Sequence, residues 1–355
     1  MDGSGLARPW AGVGTYTREV VAAMLAARPD AGLTVYTPRG VEADLPGVAM
    51  RTAPSVRLLG RHLLWPLGLR RSGAHAYFSP AGSLPLAGPG LPAVLTAHDM
   101  AIYRNPAWFP GRQWLSVKVV VPRSMRAADA IVAVSSSTAR DLAELFGVDT
   151  QRVTVVHEGV SPSFRPLAEA ELAASRERLR LPRSFVLFVS TIEPRKNLET
   201  LLDAWGRMAE PPPLVVVGGW GWRHEELRGK LERLAGRGVR LLGAIGPEQL
   251  PVVYNLATVL AHPAWYEGFG LTVLEAMACG TPVIASSASS LPEVVGTSGL
   301  LVDPADVEGW TAALERVHGD QQLRQDLQAR GLERAAGFTW QKAATATWQV
   351  IDSVL

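Results

Sequence analysis

The chain has 355 residues, 47% hydrophobic and 19% charged, with 35 lysines and arginines against 33 aspartates and glutamates for a formal charge of +2. Such a composition buries a sizeable core and excludes extensive disorder, and the near-neutral balance gives no electrostatic case for nucleic acid. The one cysteine, Cys279, excludes an intramolecular disulfide and a multi-cysteine zinc site.

In chain order, residues 1–11 are polar and contain glycine and proline, and Gly12-Val13-Gly14 follows as a glycine-rich turn. A doubly wound domain normally opens on a strand that ends at such a turn, so its first strand is predicted to be shortened or missing. The opening residues have neither the basic nor the apolar region of a signal peptide, and no apolar run reaches the 18 residues of a membrane span, so a soluble cytoplasmic protein is expected. Short apolar, β-branched runs come next at 33–36, 93–96, 130–134 and 153–156. A second series lies at 185–189, 214–217, 239–242, 259–261, 283–285 and 299–302. Helical patterns separate them, among them 197–208, 225–235 and 271–278. Continuous apolar strands alternating with helices predict parallel sheets buried on both faces, and two series predict two doubly wound α/β units. The break falls near 162–182, where residues 161–166 are turn-rich and a helical stretch, 168–179, precedes Pro182. Helices are predicted at 310–317 and 321–335, and a final one from Trp340 to Leu355 with Thr339 as N-cap. Residues 57–71 mix apolar and basic side chains. They read either as a helix packed on the core with solvated arginines or as an interfacial segment touching anionic lipid or a lipid-linked acceptor at the inner membrane face.

The densest chemical signal is Glu267-Gly-Phe-Gly-Leu-Thr-Val-Leu-Glu275, lying between the end of a strand and the start of a helix. Ligands of open α/β sheets bind beyond the carboxyl ends of strands. The glycines let backbone amides approach a ligand, and the helix start offers unpaired N–H groups to an anion. Two carboxylates would repel an anion, so Glu267 and Glu275 suit sugar or ribose hydroxyls; the competing reading is two solvated glutamates on an amphipathic helix. The second signal is Ser190-Thr-Ile-Glu-Pro-Arg-Lys-Asn197, after another strand and before another helix. Arg195 and Lys196 there suit a diphosphate clamp, against the commoner surface basic pair. No Asp-x-Asp cluster suited to a metal ion occurs.

Together these segments resemble retaining glycosyltransferases of family 4. The resemblance extends to Gly12-Val-Gly-Thr-Tyr-Thr17, Ala97-His98-Asp99, Val134-Ser-Ser-Ser137, His157-Glu-Gly-Val160 and Gly243-Ala-Ile-Gly-Pro-Glu-Gln-Leu250. It implies the GT-B fold: residues 1–170 as an acceptor-binding Rossmann-like domain, 171–338 as a nucleotide-sugar domain, and 339–355 as a helix returning to the first. By the same resemblance Lys196 and Arg195 hold the diphosphate and Glu275 the ribose. Glu267 and the amides of Gly268, Phe269, Gly270 and Leu271 hold the donor sugar, Thr191 and Ile245 line the nucleotide, Gly12 and Gly14 approach the phosphate, and His98 contacts the sugar near the reacting carbon. The implied co-substrate is a GDP- or UDP-linked sugar with no further cofactor and no metal, and the acceptor a glycan, a lipid-linked sugar or a small molecule. Ser190-Thr191 stands where many members have Gly-Arg, which leaves more of the phosphate to Arg195 and Lys196. The Glu-Pro-Arg-Lys-Asn form resembles a subgroup rich in mannosyltransferases and points to GDP-mannose.

Three other classes compete. A nicotinamide dehydrogenase would use Gly12-x-Gly14, but Thr17 stands where its third glycine belongs and no acidic residue ends the run 33–36. A glycosidase using Glu267 and Glu275 leaves Arg195-Lys196 without a task. A non-catalytic nucleotide-sugar-binding protein would follow if the shortened first strand disabled the N-terminal half. Cys279, among small residues near a helix end, reads as packing. The chain has only four lysines, Lys118, Lys196, Lys230 and Lys342, against 31 arginines, and one of the four falls in the diphosphate motif.

Overall fold

The computed structural model describes residues 1–7, 12–41, 45, 47–52, 65–111 and 114–355. They form two compact units, Met1–Gly159 with Phe338–Leu355, and Val160–Gly337.

In the first unit, strands β1 (Thr34–Thr37) and β2 (Ala49–Thr52) make a parallel ribbon. Strands β3 (Tyr77–Ser79), β4 (Ala93–Ala97), β5 (Ala130–Ala133) and β6 (Val153–Val155) make a parallel sheet in that order. Asp2 joins the two. It bridges Tyr36 in parallel, and its N–H donates to the Phe78 carbonyl at 2.9 Å. The spatial order β2-β1-Asp2-β3-β4-β5-β6 is therefore that of a doubly wound sheet whose first strand is a single bridging residue. Gly12-Val13-Gly14 is not a turn, as its glycines suggested, but part of helix α1 (Gly12–Ala27). The apolar residues of α1 at 20, 21 and 24 are spaced to face the core, and Val20, Val21 and Met24 are fully buried. The final helix, Trp340–Asp352, belongs to this unit and is capped by Thr339, whose side chain accepts the Lys342 N–H. It packs on α1: Trp348 Nε1 donates to the Met24 carbonyl at 3.0 Å, and Arg28 lies over the Trp348 ring. Of the amphipathic segment, residues 57–64 lie outside the described residues. In helix Trp65–Arg70 both Trp65 and Leu69 enter the core while Arg70 is exposed, as the core-packed reading requires.

The second unit holds β7 (Val186–Val189), β8 (Leu214–Val217), β9 (Val239–Gly243), β10 (Val259–His262), β11 (Val283–Ser286) and β12 (Leu300–Val302). All pair in parallel, in the order β12-β11-β10-β7-β8-β9. Counted along the chain this is 3-2-1-4-5-6 read from the β9 edge, the Rossmann order, and its switch point lies between β7 and β10. Strands β7, β8, β10 and β11 are buried along their whole length, which is why they read as unbroken apolar runs. Trp205 and Trp310 anchor the core, each with its indole N–H on a backbone carbonyl, Pro212 and Asp303.

Candidate functional site

Three loops follow the carboxyl ends of β7, β8 and β9, and backbone hydrogen bonds tie them together. Ile192 N–H donates to the Gly219 carbonyl at 2.9 Å, Gly221 N–H to the Ile192 carbonyl at 3.0 Å, and Gly218 N–H to the Gly243 carbonyl at 2.8 Å. Gly218 has φ of 144°, and a Cβ there would lie 1.8 Å from the Ser190 carbonyl oxygen, so only glycine fits. The first loop ends in the short turn Pro194–Lys196, after which Asn197, in the left-handed region at φ 55°, starts helix α2 (Leu198–Arg207). The Asn197 amide donates to the carbonyls of Pro263 and Pro304 at 2.9 and 2.8 Å. The Arg195 carbonyl accepts the Trp265 N–H at 2.9 Å. The Arg-Lys turn is thus fixed to the loop after β10, directly at the switch point.

That loop, residues 263–270, carries Glu267 and ends at Gly270, which precedes helix α3 (Leu271–Ala278) with φ of 112°. Two serines before helix α4 (Leu291–Val295) hold it. Ser289 Oγ accepts the Glu267 N–H at 2.8 Å, and the single Ser290 O–H is shared between the carbonyls of Glu267 and Phe269, with Oγ 2.9 and 2.8 Å away. The Glu267 carboxylate meets three donors. Lys196 Nζ and His262 Nε2 reach Oε1 at 2.5 and 2.7 Å, and Arg195 Nη1 reaches Oε2 at 3.2 Å. Arg195 also donates to the Tyr266 carbonyl at 2.8 Å and pairs with Glu193 at 2.9 Å.

Two partly buried cations and two buried carboxylates leave this cluster formally neutral, which limits the penalty of taking it out of water. Burial alone would raise the Glu267 pKa, but Lys196, the His262 hydrogen bond and Arg195 outweigh it and hold the carboxyl well below its usual range. Burial lowers the Lys196 ammonium, assisted by the Arg195 charge and opposed by Glu267. Burial likewise lowers His262 below its usual 6.5, so the imidazole is neutral at neutral pH. An ionised carboxylate only accepts, so the His262 proton sits on Nε2. Its Nδ1 is then a buried acceptor without a hydrogen-bond partner. Such a group costs about 1–3 kcal/mol. Glu193 is pushed up by its own burial against the pull of Arg195 and Lys196.

Glu275 lies one turn into α3, where the Tyr254 hydroxyl donates to its Oε2 at 3.0 Å. Burial, with Glu275 adding to it, raises the Tyr254 hydroxyl well above its ordinary value, so the proton stays on tyrosine. Gly268, Phe269 and Gly270 are buried and Leu271 is half-buried. Thr191 is exposed in the first loop, and Ile245 is half-buried in the loop after β9. Cys279 is buried, with its thiol pushed up to about 12 by burial and then by Glu275, and it packs against the Pro251 carbonyl as an inert thiol.

His98, Gly12 and Gly14 lie in the first unit. Gly12 is exposed and a Cβ there would meet nothing within 4 Å, so packing makes no demand for glycine. Tyr16, also on α1, sets its ring edge-on to His98 with centroids 4.8 Å apart. His98 Nε2 is 2.7 Å from the Pro80 carbonyl, and Nδ1 is 3.5 Å from Glu158, itself only 5% exposed. Burial lowers the His98 pKa, but Glu158 and the Pro80 carbonyl more than offset it, and the net shift is upward from 6.5. The stability this pair contributes is therefore complete below 6.5 and is lost as pH rises through the elevated pKa. Following the His98 ring by NMR should give a midpoint above 6.5, and Glu158→Gln should bring it down. A midpoint that Glu158→Gln leaves in place would show that the carboxylate does not set it.

The structure thus brings Arg195, Lys196 and Glu267 into one cluster, with Glu275 on the helix that follows. Sequence reasoning missed His262, Ser289 and Ser290, and quoted Glu193 and Glu158 without a role. The available signals were weak: a polar residue closing an apolar strand for His262, and acids inside quoted segments for the other two. Among the described residues no three His, Cys, Asp or Glu side chains group to hold a metal ion, and no helix is long and apolar enough to cross a membrane.

Comparison with known proteins gives consistent matches. The family model described as Glycosyltransferase Family 4 matches residues 10–164, and that described as Glycosyl transferases group 1 matches residues 172–334. O-antigen chain mannosyltransferase B of Escherichia coli is 34% identical over 261 residues, 72% of this chain and 68% of that protein. D-inositol 3-phosphate glycosyltransferase of Nocardioides sp. is 35% identical over 286 residues, 74% of this chain and 62% of that protein. The serotype-specific mannosyltransferase WbdA of Escherichia coli is 30% identical over 228 residues, 61% of this chain but only 28% of that protein. Among solved structures, sucrose-phosphate synthase from Thermosynechococcus elongatus superposes with a TM-score of 0.77 at 24% identity, covering 97% of this chain and 94% of that one. Anabaena HepE in complex with UDP and glucose gives 0.77 at 20% identity, covering 97% and 96%. These two likenesses show a shared fold.

Proposed function

Because the chain belongs to glycosyltransferase family 4, whose two Rossmann-like units make the GT-B fold, we propose that it moves a hexosyl group from a nucleotide diphosphate to an acceptor hydroxyl, with retention at the anomeric carbon and without a metal. The mannosyltransferase names of two relatives favour mannose as the sugar, for which GDP-mannose is the donor proposed, with UDP-sugars the alternative suggested by the UDP and glucose in the HepE structure. The cluster of Arg195, Lys196 and Glu267 at the switch point is the observation that carries the reading. Its cations sit where an open α/β sheet takes a ligand, and its carboxylate is buried, ionised and hydrogen-bonded.

In this reading Lys196 and Arg195 meet the diphosphate. Negative charge grows on that group as the glycosidic bond breaks, so cations fixed beside it lower the barrier. They take the part a metal ion plays elsewhere. Glu267 and the amides of Gly268, Phe269, Gly270 and Leu271 receive the sugar, Glu275 the ribose, and Thr191 and Ile245 line the nucleotide. A carboxylate that keeps accepting from the buried His262 N–H while its cations serve the diphosphate is a weakened nucleophile, which favours attack on the same face as the departing phosphate over a covalent intermediate. His98, Gly12 and Gly14 are proposed to serve from the first unit, which takes a glycan, lipid-linked or small-molecule acceptor, with contact at a membrane surface when the acceptor is lipid-linked.

The test is a panel of GDP-mannose, UDP-glucose, UDP-N-acetylglucosamine and dTDP-sugars, scored for binding and slow hydrolysis. At least one should bind and turn over, and Glu275→Ala should abolish the turnover. Binding by none of them removes the reading.

A further inference from the structure

The cluster contains one group that a donor cannot reach. His262 is 1% exposed, closes strand β10, and spends its only N–H on Glu267 Oε1. Lys196 shares that oxygen, and Arg195 holds the other. Both cations also face the place proposed for the diphosphate. A cation that also pairs with a phosphate holds Glu267 less strongly, because its single charge and its N–H donors are then shared between two anions. The His262 ring has no such second task. Its N–H points only at the carboxylate, and its far nitrogen is buried without a partner. Native structures retain buried unpaired acceptors rarely, and the arrangement here keeps one ring in one tautomer and one orientation.

We infer that His262 is a positioning residue for the donor sugar: its Nε2–H fixes the Glu267 carboxylate when Lys196 and Arg195 are engaged by the diphosphate. The inference rests on the proposed donor site and adds to it a division of labour. The cations serve the diphosphate, and His262 serves the sugar through Glu267. The principle is that of any outer hydrogen-bond partner that sets the orientation of the group touching a ligand, with the histidine here outside and the carboxylate inside.

This division predicts a split that loss of packing would not produce. Calorimetric titration of the whole chain with GDP and GDP-mannose, and with UDP and UDP-glucose, measures how much the sugar adds to the affinity of the diphosphate. In the wild type the sugar adds affinity. In His262→Leu the diphosphates should bind within about twofold of wild type while the nucleotide sugar weakens by roughly tenfold to a hundredfold, the worth of one hydrogen bond to a charged group. His262→Gln places an amide N–H where Nε2 stands and should restore most of the loss. His262→Asn, too short to reach, should not, and it replaces His262→Leu if that variant fails to fold. Equal weakening of diphosphate and nucleotide sugar, or an undiminished sugar contribution in both His262→Leu and His262→Asn, overturns the inference. A wild-type chain that binds none of the four ligands overturns the donor site itself, a different result from either of those.

Discussion

Lys196→Ala should lower kcat for sugar transfer by about 10²–10³-fold, the usual consequence of removing one fixed charge-stabilising donor from a developing anion. Binding of the intact donor should fall less, because the diphosphate carries more negative charge at the transition state than before it. The fold should survive. With Lys196 gone, Glu267 keeps His262 at 2.7 Å and Arg195 at 3.2 Å, so no carboxylate is left buried and unpaired. Lys196→Arg is the sharper variant. The ammonium sits 2.5 Å from Glu267 Oε1 with a side chain only 13% exposed, in a space already shared with the Arg195 guanidinium. A planar fork of five donors has no room to replace a compact point charge there, so this substitution should also lose most activity. In a chain of 31 arginines and four lysines, Lys196→Arg with near wild-type kcat would mean that the lysine is an accident of composition and not a working group. Of the other three lysines, Lys230 makes a surface pair with Asp203 at 2.6 Å, which is worth little.

Most of the scaffold for this site was legible in the chain. Helix α3 spans the residues its pattern predicts, 271–278, and buried strands such as β8 coincide with their apolar runs. Burial on both faces leaves a continuous signal, and a glycine at the helix start marks the boundary. Short or exposed elements leave none. Strand β2, Ala-Met-Arg-Thr, is mostly exposed and has no alternation, and β3 is three residues long. Gly12 and Gly14 looked like a turn because glycine disfavours helices, yet α1 is held by its buried face against the C-terminal helix. The charges of the site were visible, but not who holds them. Ser289 and Ser290 reach Glu267 from more than 20 residues away, and Glu158 reaches His98 from a distance of 60 positions. Such partnerships depend on which strand ends the sheet order brings together, and no local pattern records that order.

Glu267→Gln separates charge from shape. The amide has the same size, but one of its two arms becomes a donor. Oε1 faces Lys196 and His262 and Oε2 faces Arg195, so either orientation of the amide sets a donor against a donor. Two consequences follow. Removing the anion from a buried pair costs about 3–5 kcal/mol of stability. The sign is fixed by the depressed pKa of Glu267: its contribution is present above the ordinary value of 4.5 and disappears as pH falls through the folded pKa. Thermal melts should therefore show the variant well below wild type at neutral pH, with the gap closing in acid. A gap that does not change with pH would mean that Glu267 is not held ionised. The second consequence is catalytic. Lys196, released from its carboxylate, remains for the diphosphate, so GDP or UDP should bind at least as well as to wild type, while transfer falls by about a hundredfold or more through the lost hydrogen bonds to the sugar. Incubating wild type with the donor and no acceptor then decides the route. Same-face attack leaves the protein mass unchanged, whereas a covalent sugar found on Glu267 would make it the nucleophile and replace that mechanism with a double displacement.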